Sequence, residues 1–235
     1  MFERAVILAG GLGTRLAAFS GGLPKALVPI GDTPILEIIL VELVRFGLKR
    51  VTLAVNYKAE AIREYFGDGS AWGVKIDYSI ETHALGTMGP IKLISDLPEH
   101  FLVMNADVLT NLDFELFHQF HLTNQALFTI ACCKRSVKIE FGCLQIEHDR
   151  LIGFKEKPTY NYDVSTGIYA LSRNVMSYIP DNIPYGFDQL MLKLIAEQVP
   201  VATYQHQGEW LDIGNVEDYH AAKKHLKQLT ETSVS

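Results

Sequence analysis

Residues Leu8 to Leu16 read Leu-Ala-Gly-Gly-Leu-Gly-Thr-Arg-Leu and follow directly on the apolar run Ala5 to Leu8. A short buried strand that empties into glycines at 10, 11 and 13 leaves backbone N–H groups open to an anion, because no Cβ stands in the way. Arg15 adds a fixed cation to that nest. A Walker loop would need Gly-Lys-Ser/Thr at its end, and a dinucleotide fingerprint a third glycine where Leu16 stands. The stretch therefore reads as a phosphate loop of another kind, with a plain Gly-rich turn after a first strand as the alternative. In open α/β sheets ligands sit beyond the carboxyl ends of the strands, which is where this loop lies.

Apolar runs at Ala5–Leu8, Val51–Val55, Phe101–Met104 and Ala126–Ala131 alternate with segments of helical period, the pattern of parallel strands with crossover helices. The best-marked helix has Thr33 as N-cap, Pro34 at its first position, Ile35, Leu36, Ile39, Leu43 and Phe46 along one face, and Gly47 as the stop. Further helices are predicted over Glu60–Phe66, Phe114–His121, Asp188–Gln198 and Val216–Leu229, and a β-rich insertion over Gly142–Ala170 with a turn at His148-Asp149-Arg150. The prediction is an α/β fold, Rossmann-like with three layers (α/β/α), whose central sheet is mixed and mostly parallel. At 235 residues the chain reads as one domain over 1–235, able to bury roughly 70% of its unfolded surface, with a polar tail from about residue 230.

A net charge of −6 without a basic run argues against general nucleic-acid binding. The longest greasy stretch, Ile35 to Val44, is broken by Glu37 and Glu42, so no signal peptide or membrane span is expected and the cytoplasm is the expected compartment. Cys132, Cys133 and Cys143 lack Cys-x-x-Cys spacing and read as reduced, core-type thiols. His118 and His121 lie i, i+3 on a predicted helix, but no acid or third histidine completes a metal site, so they read as surface or core residues. Trp72, Tyr65 and Phe66 beside Gly67-Asp68-Gly69 read as packing around a turn.

Lys25 stands between Pro24 and Pro29 in an otherwise apolar segment, where a preset backbone aims its ammonium group as a point charge at phosphate. Asp107 closes the run Phe101 to Asp107, just past a predicted strand, and both a capping and a ligand role are open to it. Asp212, in Trp210-Leu211-Asp212-Ile213-Gly214, is an acid among apolar residues that needs a partner to justify partial burial. Two such carboxylates suit Mg²⁺, which takes few protein ligands and completes its shell with water and phosphate oxygens.

The run Gly-Gly-x-Gly-Thr-Arg-Leu followed by Pro-Lys resembles the signature of the sugar-1-phosphate nucleotidyltransferases, or nucleoside-diphosphate-sugar pyrophosphorylases. The resemblance continues through Leu85-Gly86-Thr87-Met88-Gly89, Asn105-Ala106-Asp107, Glu156-Lys157-Pro158, Gly167-Ile168-Tyr169 and Trp210 to Gly214, nearly the whole chain. It implies transfer of a nucleoside monophosphate from an NTP to a sugar 1-phosphate with release of pyrophosphate. Arg15, Lys25 and Asp107 are the implied catalytic residues, with Mg²⁺ on Asp107 and Asp212. The implied nucleotide positions are Leu8, Ala9, Gly10, Gly11, Gly13, Thr14, Arg15, Lys25, Glu81, Gly86 and Thr87. Those for the sugar phosphate are Asn105, Gly142, Glu156, Lys157 and Thr166. A sugar 1-phosphate is close to dianionic at neutral pH, its second pKa being about 6, so its oxygen attacks without a protein base. Repulsion between anions is the obstacle, and positioning and electrostatics are the remedy.

Glu81 falls where the family places a base-reading side chain. An ionised carboxylate only accepts hydrogen bonds, and guanine offers two adjacent donors where uracil and thymine offer one ring N–H, so GTP is favoured over UTP, CTP or dTTP. Ser165-Thr166 in place of the frequent Asn-Ala, Met88 for Ala and Ala26 for Pro depart from the commonest pattern and bear on the sugar contacts. The chain stops soon after Asp212 and its closing helix, so no left-handed β-helix of the longer members is expected. Short members of this kind commonly activate mannose- or heptose-type phosphates for polysaccharide or lipopolysaccharide assembly, and a homodimer is left open. A reading from another class is a silent subunit that senses nucleotide or sugar phosphate. The joint presence of Arg15, Lys25, Asp107, Asp212 and Lys157 argues against it.

Overall fold

Successive residues of the first strand face opposite ways. Ala5 and Ile7 enter one apolar cluster and Val6 the other, and the same alternation separates Leu53 from Ala54 and Met104 from Val103. A sheet with both faces apolar must be covered on both, which is the reason for three layers. The computed structural model describes residues 1–11, 21–214, 218–220 and 222–223. In chain order its elements are β1 (Ala5–Leu8), β2 (Pro29–Ile30), β3 (Thr33–Pro34), α1 (Ile35–Arg45), β4 (Arg50–Val55), α2 (Ala59–Phe66), β5 (Lys75–Ile80), β6 (His100–Asn105), β7 (Val108–Thr110), α3 (Phe114–Thr123), β8 (Phe128–Lys138), β9 (Cys143–Glu147), β10 (Arg150–Lys155), β11 (Thr159–Ser172), α4 (Phe187–Ala196), β12 (Val201–Gln205) and β13 (Trp210–Asp212).

The central sheet has the order β12-β8-β11-β6-β1-β4-β5. Neighbours pair in parallel except β11, which runs against both β6 and β8. This is the mixed, mostly parallel sheet expected. Helices α1, α2 and α3 cover the face that carries Ile7, Leu53 and Met104, while α4 covers the other through Leu190 and Leu194. Sequence order reverses at β1: β4 and β5 follow on one side, whereas β6 returns to the other. Three further ladders, β2–β3, β9–β10 and β7–β13, lie outside the main sheet.

Several boundaries differ from expectation. Pro34 is extended (ψ 144°) and is itself the cap residue of α1, while Thr33 pairs with Ile30 in the β2–β3 ladder instead of capping. Gly47 does end the helix, in the left-handed region at φ +84°. The β-rich insertion is narrower than Gly142–Ala170. Only β9 and β10 form a separate hairpin, with His148 and Asp149 both at positive φ in its turn, whereas β11 is a long strand that pairs with β8 in the central sheet along its length and with β6 through its second half. Strands β5 and β12 had no apolar run to mark them. Most of the predicted helix Val216–Leu229 and the tail from about residue 230 lie outside the described residues.

The histidines and cysteines sort by burial. His121 is fully buried, with Nδ1 2.7 Å from Thr129 Oγ1 and Nε2 3.1 Å from His100 Nδ1, and the His118 ring packs edge-on against Phe2. Cys132 and Cys133 are core thiols, but Cys143 is only half-buried, and all three are free. Tyr65, Phe66 and Trp72 pack on one another as expected.

Burial, with the nearby His100 and His118 adding to it, lowers the His121 pKa from 6.5 to about 4. Between those values the unfolded chain takes up a proton that the native imidazole refuses, so stability is full above pH 6.5 and falls as pH drops towards 4. A gap of this size amounts to about 3 kcal/mol at most. Urea unfolding measured across that range is expected to lose less stability in His121→Gln than in the wild type. Equal losses in the two proteins would remove His121 from the account.

Candidate active site

Parallel strands β1 and β6 are in register at Leu8 and Asn105, and the Ala106 N–H donates to Leu8 O at 3.2 Å before the two chains part. The crevice beyond their carboxyl ends, where sequence order reverses, is the general location of ligand sites in such sheets. A cleft of about 450 Å³ opens there. It is lined by Leu8, Ala9, Gly10, Gly11, Lys25, Glu81, Gly86, Thr87, Asn105 and Asp107, all singled out in the sequence, together with Ala26, Asn56, Ala84, Pro90 and Ala106. Gly13, Thr14 and Arg15 lie outside the described residues.

Lys25 opens a single 3₁₀ turn, Lys25–Leu27, closed by Leu27 N–H to Pro24 O at 2.9 Å. Buried Ala26 and Leu27 fix the turn to the core, and the Lys25 ammonium lands on Asp107 Oδ2. Both side chains are mostly buried, at 15% and 20% exposure. Asp107 caps no helix. The first turn of α3 is capped instead by Asp113, which accepts from Glu115 N and Leu116 N. Asp107 Oδ1 is buried and finds no hydrogen-bond partner among the described residues. A carboxylate with one oxygen on a lysine and the other unpartnered has the acceptor capacity of a cation ligand.

Asp212 does not line that cleft, but a ladder holds its backbone beside that of Asp107. In β13 it stands opposite Val108 of β7, and the Ile213 N–H donates to Asp107 O at 2.9 Å. The ladder is locked at its far end, where Glu209 N donates to Asn111 Oδ1 (2.7 Å) and Thr110 Oγ1 donates to Glu209 O (3.0 Å). Trp210 ties it sideways. Its Nε1–H donates to Thr166 O at 2.8 Å, and the Arg135 guanidinium lies 4.7 Å over its ring. Neither contact was legible as a pair in the sequence.

Glu81 is buried at 8% exposure. Oε2 accepts from Leu85 N at 3.0 Å and Asn56 bonds the same carboxyl. Burial pushes its pKa up, while those two donors pull it back. A Cβ on Gly10 would stand 2.6 Å from Glu81 Oε1, so a side chain there would displace this carboxyl from its present position. Asn56 was missed in the sequence. Its signal was position, one residue past β4 and beside the first loop, whose Ala9 N–H donates to Ala54 O.

The sugar positions divide. Asn105 lines the cleft and packs where a Cβ on Gly167 (φ +76°) would lie, 2.6 Å from Asn105 Nδ2. Thr166 is turned into the sheet, its hydroxyl donating to Ala131 O at 2.7 Å with 1% exposure, and it does not line the cleft. Gly142 and Glu156 face each other at the foot of the β9–β10 hairpin, a built Cβ on Gly142 lying 3.1 Å from Glu156 Oε2. The next residue, Lys157, sits at φ +42° in front of Pro158, a conformation that side-chain residues seldom hold.

Backbone amides beside buried acids, one lysine aimed at one of them and glycines at the closest approaches define an anion site with room for a cation. Residues 4–229 match the nucleotidyl transferase family, and the chain belongs to it. The mannose-1-phosphate guanylyltransferase of Mycobacterium tuberculosis is 34% identical over 227 residues, covering 92% of this chain and 62% of the relative. The D-glycero-alpha-D-manno-heptose 1-phosphate guanylyltransferase of Campylobacter jejuni is 34% identical over 224 residues, 92% of this chain and 97% of the relative. HddC of Yersinia pseudotuberculosis, solved in complex with GMP-PN, matches with a TM-score of 0.73 at 30% identity over 96% of this chain and 100% of that one. The chain thus spans about 62% of the Mycobacterium relative and nearly all of the shorter proteins.

The cleft's loop at residues 85–89 is gripped by the Tyr185 backbone: Tyr185 N donates to Leu85 O, and Met88 N and Gly89 N donate to Tyr185 O. Gly86, at φ +77°, crosses that peptide so closely that a Cβ would stand 2.8 Å from Tyr185 O. Gly86→Ala is therefore expected to cost about 1–3 kcal/mol, read as a fall in Tm of about 3–10 °C. An unchanged melting temperature would show that the loop is not held as described.

Proposed function

We propose that this chain transfers GMP from GTP to a mannose- or heptose-type sugar 1-phosphate, releasing pyrophosphate. The sugar-phosphate oxygen attacks the α-phosphorus, and the bond from that phosphorus to the oxygen bridging to the β-phosphate breaks. The observation that carries the reading is the contact of Lys25 with Asp107 at the parting of β1 and β6, in a chain of this family. The choice of guanine and of a manno-configured sugar is supported by the names of the Campylobacter and Mycobacterium relatives and by the GMP-PN complex. GTP as substrate favours the cytoplasm, and no described helix is long and apolar enough to cross a membrane.

Asp107 and Asp212 are the residues that would hold Mg²⁺, because they supply two carboxylates and the unpartnered Oδ1 of Asp107 has capacity for a ligand. When bound, the ion neutralises charge on the α-phosphate. The N–H groups of Gly10 and Gly11, with Arg15, hold the departing pyrophosphate. Lys25 stabilises charge as it develops on the α-phosphate, since a desolvated cation acts most strongly where charge appears in the transition state. Glu81 and the loop it holds take the base. Its carboxylate keeps acceptor capacity for the two adjacent donors of guanine. At the foot of the β9–β10 hairpin Glu156 accepts from sugar hydroxyls and Lys157 receives the incoming phosphate.

The deciding experiment is a matrix of GTP, ATP, UTP, CTP and dTTP against mannose, glucose and heptose 1-phosphates, read by pyrophosphate release. GTP with a manno-configured sugar is expected to lead. A leading pyrimidine nucleotide would overturn the base assignment, and no release with any pair would favour the sensing subunit.

Asp107→Asn and Asp212→Asn are each expected to lower turnover at least about a hundredfold with the fold intact by circular dichroism, and chelation should do the same to the wild type. Full activity in EDTA would sink the metal assignment. Lys157→Ala should chiefly raise KM for the sugar phosphate, whereas Lys25→Ala should lower kcat more than either KM. Identical profiles for the two lysines, with only the nucleotide KM affected, would show that the site is divided differently.

A further inference from the structure

The carboxyl ends of β1, β4 and β5 set three residues in one row. Leu8 is in register with Ala54 and Val55 with Ile80, so the continuation of these parallel ladders puts Gly10 beside Asn56 and Asn56 beside Glu81. Hydrogen bonds from Ala9 N to Ala54 O (2.8 Å) and from Glu81 N to Val55 O (3.0 Å) carry the pairing past the strand ends. Side chains at one level of adjacent strands leave the sheet on the same face, about 4.8 Å apart. Gly10 has none, and the Glu81 side chain uses the room. It runs along the row until Oε1 stands 2.6 Å from where a Gly10 Cβ would be, with Asn56 Cβ 3.3 Å from the same point. All three residues line the cleft. Oε2 accepts from Leu85 N at 3.0 Å, and the Asn56 side chain bonds the same carboxyl.

We infer that Asn56 is a positioning residue for base selection, its side-chain amide holding the Glu81 carboxyl along the row in the orientation that receives the base. This rests on the proposed reading of Glu81 as the residue that meets guanine. A carboxyl at 8% exposure lacks the water that favours its charged form, and burial pushes its pKa up. What keeps the anion is hydrogen bonding to it, first by Leu85 N and then by Asn56, with the exposed His83 as its charged neighbour. Of the lysines on adjoining segments, Lys25 is on Asp107 Oδ2 and Lys58 on Gly22 O. The anion presents two acceptor oxygens to the adjacent N1–H and N2–H₂ of guanine, whereas the protonated acid turns one of them into a donor. Asparagine suits the place because it donates without carrying charge. An apolar side chain there would leave Leu85 N as the one donor to a buried carboxylate, and an aspartate would set two acids in competition for a proton.

The test compares Asn56→Ala, Asn56→Asp and Asn56→Ser in the full chain, with the fold followed by circular dichroism. In Asn56→Ala the nucleotide KM is expected to rise about tenfold or more, the effect of one hydrogen bond to a charged group, with kcat and the sugar-phosphate KM changed much less. The preference for GTP over inosine triphosphate, which lacks the N2 amino group, should narrow, whereas a merely structural loss raises both KM values in proportion. Asn56→Asp, nearly the same in shape, should lose more, and Asn56→Ser, which keeps a donor, should recover part. Glu81 itself is followed without any nucleotide, by NMR of its side-chain carboxyl carbon, assigned with Glu81→Gln. It should titrate at higher pH in Asn56→Ala than in the wild type, because a donor to the anion has gone, and the low-pH loss of nucleotide affinity should move the same way. Equal titrations in the two proteins overturn the inference, as does an unchanged nucleotide KM in both Asn56→Ala and Asn56→Asp. A pyrimidine nucleotide leading in the wild type would refute the guanine reading instead, and the carboxyl titration would still decide the role of Asn56.

Discussion

The pairing of β1 with β6 is the constraint on which the cleft depends. Two buried parallel strands hold Leu8 beside Asn105, and at that line the chain order reverses, so the segments leaving them must diverge. One bank is then backbone, Ala9 to Gly11, and the other is the carboxyl of Asp107. Lys25 meets that carboxyl from a turn whose own two apolar residues are buried in the core. The charged contact is therefore positioned by apolar packing: remove the burial of Ala26 and Leu27 and the ammonium loses its aim. Two closely apposed charges in a half-buried cleft are costly to assemble unless the scaffold already holds them. Here the strands and the 3₁₀ turn do so.

The second proposed metal ligand, Asp212, depends on a smaller device. The three-residue β7–β13 ladder hangs from the end of the sheet, and so short a ladder would not persist alone. Its neighbours stabilise it, through Asn111, Thr110 and a Trp210 held between Thr166 O and Arg135 at one end and the Ile213 N–H on Asp107 O at the other. That use of Thr166 explains why its hydroxyl turns into the sheet. The strand needs the carbonyl for Trp210 and the side chain for Ala131, and the conformational break at Gly167 lets Asn105 occupy the space on the cleft side.

Legibility followed burial. Strands β1, β4, β6 and β8 were visible because strands buried on both faces are written as continuous apolar runs, and α1 because its stripe repeats at helical period. Strand β5 was not, since Lys75, Asp77 and Ser79 alternate with its apolar residues at a sheet edge, and β12 is a short edge strand of mixed character. The Gly-rich loop, Lys25, Asp107 and the lone acid Asp212 each stood out against their surroundings, so the cleft could be assembled in outline. What joined them could not. The Trp210–Arg135 stack, the Asn56–Glu81 contact and the Tyr185 grip on residues 85–89 are pairings between distant segments that no local pattern encodes. Thr33 misled because a capping residue before proline is a good local signal, and the β2–β3 ladder overrode it with a tertiary partner.

The two proposed substrate sides rest on scaffolds of unequal burial. The proposed nucleotide side is built on strands buried on both faces, with glycines where backbone or carboxyl comes too close for a Cβ. The proposed sugar side, at Gly142, Glu156 and Lys157, stands at the feet of a hairpin that projects from β8 and β11 and is exposed along its length. A change in that hairpin lies outside the packing of β1, β4 and β6, whereas a side chain at Gly86 meets the Tyr185 backbone at once and one at Gly10 meets the Glu81 carboxyl. Variation in the sugar accepted can therefore accumulate on the ribbon while the phosphate chemistry stays fixed by the sheet. Lys157 is held at positive φ before Pro158, whose carbonyl accepts from the Ile139 N–H at 2.9 Å, so the proposed sugar side is anchored where the hairpin joins the β8–β11 ladder.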